Sequence, residues 1–275
     1  MPDAALRIRE YGDGGRPHLI LIHGGPGAAG YLEPVARVLA TSYRVIEPFQ
    51  RGSGDRPLTV DRHIEDLLEG IRDRCGDRAP GLIGHSWGAM LALAYAAAHP
   101  ERTGPIVIIG CGTFDHESRS HMTQTVESRI EGDTQNRLER LAVEIPDEDV
   151  RMRAIGDLLL PAYSSDPIEN RVALARCDAR AHRESWADMV RLQEEGRYPG
   201  AFSAIRSPVL MLHGDHDPHP GGMIRDGLAR HIPHLEYREL PRCGHYPWLE
   251  RQARAQFLAI MREWLYRHLC TSERC

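Results

Sequence analysis

The chain has 275 residues, enough for one large domain or for a core that carries a sizeable insertion. Its composition, 41% hydrophobic and 27% charged, is that of a globular protein, and the net charge of −5 without long runs of one sign indicates neither a nucleic-acid partner nor a membrane surface. All 34 basic residues are arginine, which excludes a P-loop lysine, a Schiff-base lysine and a serine–lysine dyad.

Cysteine usage and apolar runs indicate the compartment. The six cysteines are scattered without a Cys-x-x-Cys pair, a distribution that fits reduced thiols rather than a disulfide framework. The first residues lack the apolar core of a signal peptide, and no stretch approaches the ~20 apolar residues of a membrane span. We therefore expect a soluble, cytoplasmic protein that acts on a small molecule or short peptide, without a cofactor; the oligomeric state stays open.

Short apolar runs alternate with helical segments along most of the chain. Strands are predicted at 5–11, 18–22, 43–49, 82–84, 105–110, 208–212 and 235–240. Helices are predicted at 31–40, 61–75, 89–98 and 252–269. This rhythm predicts an α/β fold with a mostly parallel, doubly wound sheet, in which ligands bind beyond the carboxyl ends of the strands.

The pattern changes in the middle of the chain. From 114 to 198 the sequence is polar and helical, with breakers at Pro146, Pro161 and Pro167 and no β-branched strand run. This stretch is longer than an ordinary connection, and strand patterns resume after it. We predict a core formed by 1–113 and 199–275, with an inserted helical cap at 114–198.

The stretch around Ser86 is the first candidate for chemistry. Ser86 lies in the pattern Gly84-x-Ser86-x-Gly88, between an apolar strand and an alanine-rich helix. A serine on such a sharp strand-to-helix turn needs glycine on both sides, because larger side chains would collide with neighbouring backbone. We predict that Ser86 is a nucleophile.

A serine hydroxyl needs a base to remove its proton and an acid to orient that base. In this kind of sheet the acid should follow one late strand and the base the next, and Asp217 and His245 stand at those places.

Negative charge on a reacting carbonyl oxygen needs fixed backbone amides. The amides of Trp87, at the start of a helix, and of Gly25, in a glycine-rich loop, are the predicted oxyanion hole.

Five motifs in this order resemble those of the α/β-hydrolase superfamily, and most closely its proline iminopeptidase branch. They are His23-Gly24-Gly25-Pro26-Gly27, Gln50-Arg51-Gly52-Ser53-Gly54, Gly84-His85-Ser86-Trp87-Gly88, Gly214-x-x-Asp217 and Gly244-His245. The resemblance implies Ser86 as nucleophile, His245 as base, Asp217 as orienting acid, and an oxyanion hole from Gly25 and Trp87. The Gly-x-x-Asp spacing favours Asp217 over the competing Asp215, which we expect to cap its turn.

Substrate recognition is less defined. The branch usually has an aspartate where this chain has Phe49, and it holds the amine of its substrate with carboxylates of the cap. Glu184 and Asp188 are candidates for that role, although a solvated helix face explains them equally well. The cluster around His213 and His219 lacks the spacing of a metal site, and we predict no metal.

The prediction is therefore a serine hydrolase that cleaves an ester or amide through an acyl-enzyme. An aminopeptidase of the proline iminopeptidase type is the first interpretation. The alternatives are a small-ester or lactone hydrolase, a carbon–carbon bond hydrolase, and a non-catalytic protein that binds a small molecule on the same fold.

Overall fold

The structure, a computed structural model, describes residues 6–169 and 171–269. Its strands form one seven-stranded sheet in the order β1-β3-β2-β4-β5-β6-β7. They are β1 (Ile8–Tyr11), β2 (His18–Ile22), β3 (Arg44–Pro48), β4 (Gly81–His85), β5 (Ile106–Ile109), β6 (Val209–Gly214) and β7 (Leu235–Leu240). Strand β1 runs antiparallel to β3, and every other neighbouring pair is parallel. The predicted mostly parallel, doubly wound sheet is confirmed.

The helices of the described residues surround this sheet. They are α1 (Glu33–Leu39), α2 (Val60–Cys75), α3 (Trp87–Ala98), α4 (His116–Arg129), α5 (Gly132–Glu144), α6 (Glu148–Tyr163), α7 (Ala179–Glu194), α8 (Gly221–Ala229) and α9 (Arg254–Leu269). Helix α8 was not predicted, because its glycines at 221, 222 and 227 have poor helix propensity. Its Ile224 and Leu228 are buried in the core, and this packing outweighs the local preference.

Alternation along the strands sends side chains into two separate cores. Ile20, Leu82 and Ile108 belong to the cluster that α2 and α3 cover, whereas Leu21 and Ile83 belong to the cluster that α1 and α9 cover. Both faces of the central strands are buried, so these strands have runs of consecutive apolar residues rather than apolar residues at alternate positions only. The parallel arrangement brings the loops after β2, β4, β6 and β7 to one edge of the sheet.

The segment between β5 and β6 contains α4, α5, α6 and α7. Met189 and Leu192 on the inner face of α7 belong to the same apolar cluster as α3. This shared packing joins the inserted helices to the sheet. Their interpretation as a separate cap that covers the site stays a prediction.

Two further expectations concern the chain as a whole. Within the described residues, no helix combines the length and apolar character needed to cross a bilayer. Cys75, Cys111, Cys177 and Cys243 are free thiols. Cys270 and Cys275 lie outside the described part of the chain.

Candidate active site

Ser86 stands at a sharp turn between β4 and α3. Its φ of 56° and ψ of −124° lie in a region that residues with a side chain rarely adopt. A Cβ on Gly84 would overlap the Gly88 carbonyl oxygen, and one on Gly88 would overlap the Ile22 carbonyl oxygen. The two glycines are therefore a steric requirement of the turn, as the sequence predicted. The Ser86 amide donates to the Ile109 carbonyl at 2.9 Å, which holds the turn against the end of β5.

Asp217 and His245 meet at the same edge of the sheet. Asp217 follows β6 and His245 follows β7, and the Asp217 Oδ2 accepts a hydrogen bond from His245 Nδ1 at 2.7 Å. Both side chains are buried. The His245 amide donates to the Tyr163 carbonyl at 2.7 Å, so the end of α6 also fixes the loop. An aspartate on Nδ1 leaves Nε2 as the atom that can accept a proton.

Ser86 follows β4 and His245 follows β7, at the same edge of the sheet. A Cβ on Gly110, the residue after the Ile109 that binds the Ser86 amide, would lie 3.0 Å from His245 Nδ1. The centroid of the His85 ring, next to Ser86 in the chain, is 4.6 Å from that of the His245 ring. The His85 Nε2 donates a hydrogen bond to the His245 carbonyl oxygen at 2.9 Å. Among the described residues, Ser86 Oγ makes no hydrogen bond with the His245 imidazole.

The glycine-rich loop after β2 lies directly against Ser86. A Cβ on Gly24 would lie 2.6 Å from the Ser86 Cβ, so only glycine permits this approach. The Gly24 amide donates to the Tyr31 hydroxyl at 2.6 Å, and this hydroxyl is 2.7 Å from His85 Nδ1. Gly25 adopts a φ of 46° at the next position. The loop is thus held beside the serine by backbone shape and by a buried tyrosine.

Trp87, the other predicted oxyanion residue, is the first residue of α3. The amides of the first helical turn have no partner inside the helix, and the positive end of the helix dipole lies there. The Trp87 N–H therefore points out of the N-terminal end of α3, beside Ser86. The roles of Gly25 and Trp87 as donors to a reacting oxygen stay predictions.

Burial and charge set the protonation of the buried histidines. Burial lowers the pKa of His245 below its ordinary value, while the neighbouring Asp217 carboxylate opposes that shift. Burial by itself would raise the pKa of Asp217, but the imidazoles of His245, His219 and His213 hold it well below its usual range. The arrangement therefore pairs an ionised carboxylate with a neutral imidazole, the state that a general base requires.

Asp215 and Asp217 have different partners, and the Asp215 carboxylate binds a remote loop instead of the expected cap of its own turn. Asp215 Oδ1 accepts the Cys243 amide at 3.0 Å and so joins two loops. Asp217 binds two imidazoles, because its Oδ1 also accepts from His219 Nδ1 at 2.8 Å. The atoms of Asp217, His219 and His245 that could ligate a metal lie within 4.8 Å of one another. The hydrogen bonds from the two imidazoles to the Asp217 carboxylate explain this proximity.

Glu184 and Asp188, the predicted ligands for a substrate amine, bind the protein's own backbone. Glu184 accepts the Leu58 amide at 2.9 Å, and Asp188 accepts the Val60 amide at 2.8 Å, at the start of α2. Each also pairs with an arginine of α7. The two carboxylates thus fasten α7 to the segment before α2, rather than forming the solvated helix face of the other interpretation. Their role toward a substrate stays a prediction that these contacts do not support.

Two residues that shape the site were missed in the sequence. Tyr31 lay in a predicted helix without an assigned role, although it binds both Gly24 and His85. Glu250 is fully buried, and its carboxylate accepts the amides of Gly244, Ser165 and Asp166. A buried acid near the chemistry is a sign of such a role, but burial cannot be read from these residue types alone.

With this geometry in place, the family can be stated. Residues 19–259 match the model of the alpha/beta hydrolase family, and the chain belongs to that family. The fold is accordingly the α/β-hydrolase fold, and the resemblance inferred from the five motifs is confirmed.

Individual relatives carry several activities. A 2-hydroxy-6-oxononadienedioate/2-hydroxy-6-oxononatrienedioate hydrolase of Paraburkholderia phymatum is 26% identical, with 87% of this chain and 84% of the relative aligned. A proline iminopeptidase of Lactobacillus helveticus is 24% identical, with 92% of this chain and 91% of the relative aligned. The solved enol-lactonase from Burkholderia xenovorans has a TM-score of 0.64 at 20% identity, covering 94% of this chain and 96% of its own. The family model defines the family, and these likenesses agree with its fold, whereas the substrate depends on the site.

Proposed function

We propose that this chain is a cofactor-independent serine hydrolase that works through an acyl-enzyme. Ser86 attacks a carbonyl carbon while His245 Nε2 takes the hydroxyl proton, and Asp217 holds the imidazole in the required tautomer. His245 then protonates the leaving group, and a water molecule, activated by the same imidazole, releases the acid. The observation that carries the proposal is a strained serine turn at the same sheet edge as a buried Asp217–His245 pair, 2.7 Å apart.

The amides of Gly25 and Trp87 would stabilise the negative charge that develops on the carbonyl oxygen. Gly24 lies against Ser86, which brings the loop close enough for its neighbour to serve as a donor. Preformed donors of this kind are worth about 10²- to 10³-fold each in kcat.

Within this class we propose a carboxylic ester or lactone as the substrate. An aminopeptidase needs a carboxylate for the free amine, and the backbone contacts of Glu184 and Asp188 leave less of their charge for that purpose. The aminopeptidase of proline iminopeptidase type remains the second candidate, supported by the relative from Lactobacillus helveticus. Carbon–carbon bond hydrolysis is a third, supported by the relative from Paraburkholderia phymatum.

The test compares Ser86→Ala with the unaltered protein on short-chain aryl esters and on proline arylamide. Ser86→Ala should lose at least about 10³-fold in kcat on the preferred substrate. Preference for the arylamide, with a requirement for its free amine, would reverse the order of the two candidates. Hydrolysis that survives Ser86→Ala would show that another group is the nucleophile.

A matched pair of variants tests the acid. Asp217→Asn should lose about 10³- to 10⁴-fold in kcat, because the imidazole would take the wrong tautomer. Asp215→Asn should stay within about tenfold, since Asp215 only joins two loops. Equal losses in both variants would contradict the assignment. Failure of a fluorophosphonate probe to label Ser86 would favour the non-catalytic binding protein.

A further inference from the structure

Two imidazoles share the carboxylate of Asp217. Oδ2 accepts from His245 Nδ1 at 2.7 Å, and Oδ1 accepts from His219 Nδ1 at 2.8 Å and from the His219 amide at 3.0 Å. An ionised carboxylate only accepts hydrogen bonds, so both rings must carry a proton on Nδ1. In their neutral forms both rings therefore present an unprotonated Nε2.

The two rings are also stacked. Their centroids are 4.6 Å apart and their planes differ by 18°. His213 Nε2 donates a hydrogen bond to the His219 carbonyl oxygen at 2.9 Å. The centroid of the Tyr163 ring lies 6.1 Å from that of His219 and 5.5 Å from that of His245. His219 is thus fixed by its backbone, its side chain and its neighbours, and it cannot turn away without breaking several contacts.

This arrangement reduces, in two ways, the electrostatic stabilisation that Asp217 gives to a protonated His245. A second N–H donor on the same carboxylate weakens the interaction of that carboxylate with His245. An extra proton on one ring also repels an extra proton on the other. Other titratable groups also face the pair from the surrounding elements. They are His213 on β6, His85 on β4, Cys111 after β5, Arg129 on α4, Tyr163 on α6 and Tyr246 beside His245. Among the described residues, His219 alone both binds the Asp217 carboxylate at hydrogen-bond distance and stacks on His245.

We propose that His219 is a positioning residue that reduces the stabilisation of protonated His245 by Asp217. His245 therefore remains an unprotonated base at lower pH than it would without His219. The inference rests on the proposed function for its effect on activity. The protonation of His245 itself can be measured without any turnover.

Two substitutions separate the contributions of His219. His219→Phe keeps a stacked ring but removes the N–H donor, whereas His219→Asn keeps a neutral donor near the position of Nδ1. The acidic limb of kcat/KM against pH reports the pKa of the base in the free enzyme. This limb should move to higher pH by about 0.5 to 1 unit in His219→Phe and by less in His219→Asn. A merely structural residue would scale the whole profile without moving its midpoint.

The control is His121→Phe, an exposed histidine of α4, for which no shift is expected. The second measurement follows the His245 Nδ1 proton by NMR during a pH titration, with each substitution placed in the Ser86→Ala background. Higher midpoints in both experiments support the inference. Midpoints that match the His121→Phe control in the NMR titration overturn it, whatever the activity.

The two failures can be told apart. If Ser86→Ala keeps its hydrolytic activity, the proposed function fails, and the NMR midpoint still decides the role of His219. If Ser86→Ala is inactive but no His219 variant shifts the midpoint, the function stands and this inference falls. Should His219→Phe fail to fold, the smaller shift of His219→Asn decides the outcome.

Discussion

Glu250 is a buried carboxylate that supports the loop of the proposed base. It is fully shielded from solvent, and its Oε1 accepts the amides of Gly244 at 3.0 Å and Ser165 at 2.9 Å. Its Oε2 accepts the amide of Asp166 at 2.7 Å. One side chain therefore joins the residue before His245 to the segment that follows α6.

The cost of Glu250→Ala can be worked from these three contacts. A buried N–H left without a partner costs about 1 to 3 kcal/mol, and less where water can reach it. Gly244 is buried and bears the full penalty, whereas Ser165 is exposed and Asp166 is partly exposed. We expect the free energy of unfolding to fall by about 3 to 5 kcal/mol and Tm to fall by roughly 6 to 20 °C. Glu250→Gln keeps one acceptor oxygen and should lose about 1 to 3 kcal/mol.

Urea unfolding followed by circular dichroism measures these differences. Glu263→Gln is the matched control, because this glutamate of α9 has a side chain that is 76% exposed and pairs only with Arg267 among the described residues. The control should change stability by less than about 0.5 kcal/mol. A Glu250→Ala protein within about 1 kcal/mol of the unaltered chain would refute the reasoning, since three amides would then have found other partners.

Two further predictions concern close packing and buried histidines. Gly24→Ala should abolish activity, because its Cβ would lie 2.6 Å from the Ser86 Cβ, whereas Gly54→Ala, with nothing within 4 Å, should keep both activity and fold; equal effects on kcat/KM would contradict the packing. Burial lowers the pKa of His23 and of His63 to about 4 in the folded protein, so between pH 6.5 and 4 the unfolded chain binds more protons and stability falls as pH falls. The loss should reach up to about 2 kcal/mol for each histidine at pH 5, and a urea midpoint that is unchanged between pH 7.5 and 5 would count against buried neutral imidazoles.

The comparison of sequence with structure shows where local reasoning succeeds. The turn at Ser86 was predictable because Gly84 and Gly88 meet a local steric requirement that no other residue satisfies. The central strands were predictable because both faces of the sheet are covered there, which favours continuous apolar runs. The order of Asp217 and His245 followed from the same topology, and the structure brings the two side chains into contact.

Local reasoning does not reveal the contacts that a side chain makes with remote backbone. Glu184 and Asp188 had the composition of amine ligands or of a solvated face, yet they bind amides 126 and 128 positions away. Helix α8 was missed because its glycines argue against a helix, and only burial of Ile224 against the sheet explains it.

By itself the amino-acid sequence determined the fold class, the strained turn at Ser86 and the order of the candidate residues, because periodicity and backbone sterics act between near neighbours in the chain. Only the tertiary structure decided which donors meet each carboxylate: two imidazoles on Asp217, three amides on Glu250 and the start of α2 on Asp188. The physical reason is that a hydrogen bond depends on position and direction to within a few tenths of an ångström, and distant segments acquire that precision only when they pack together.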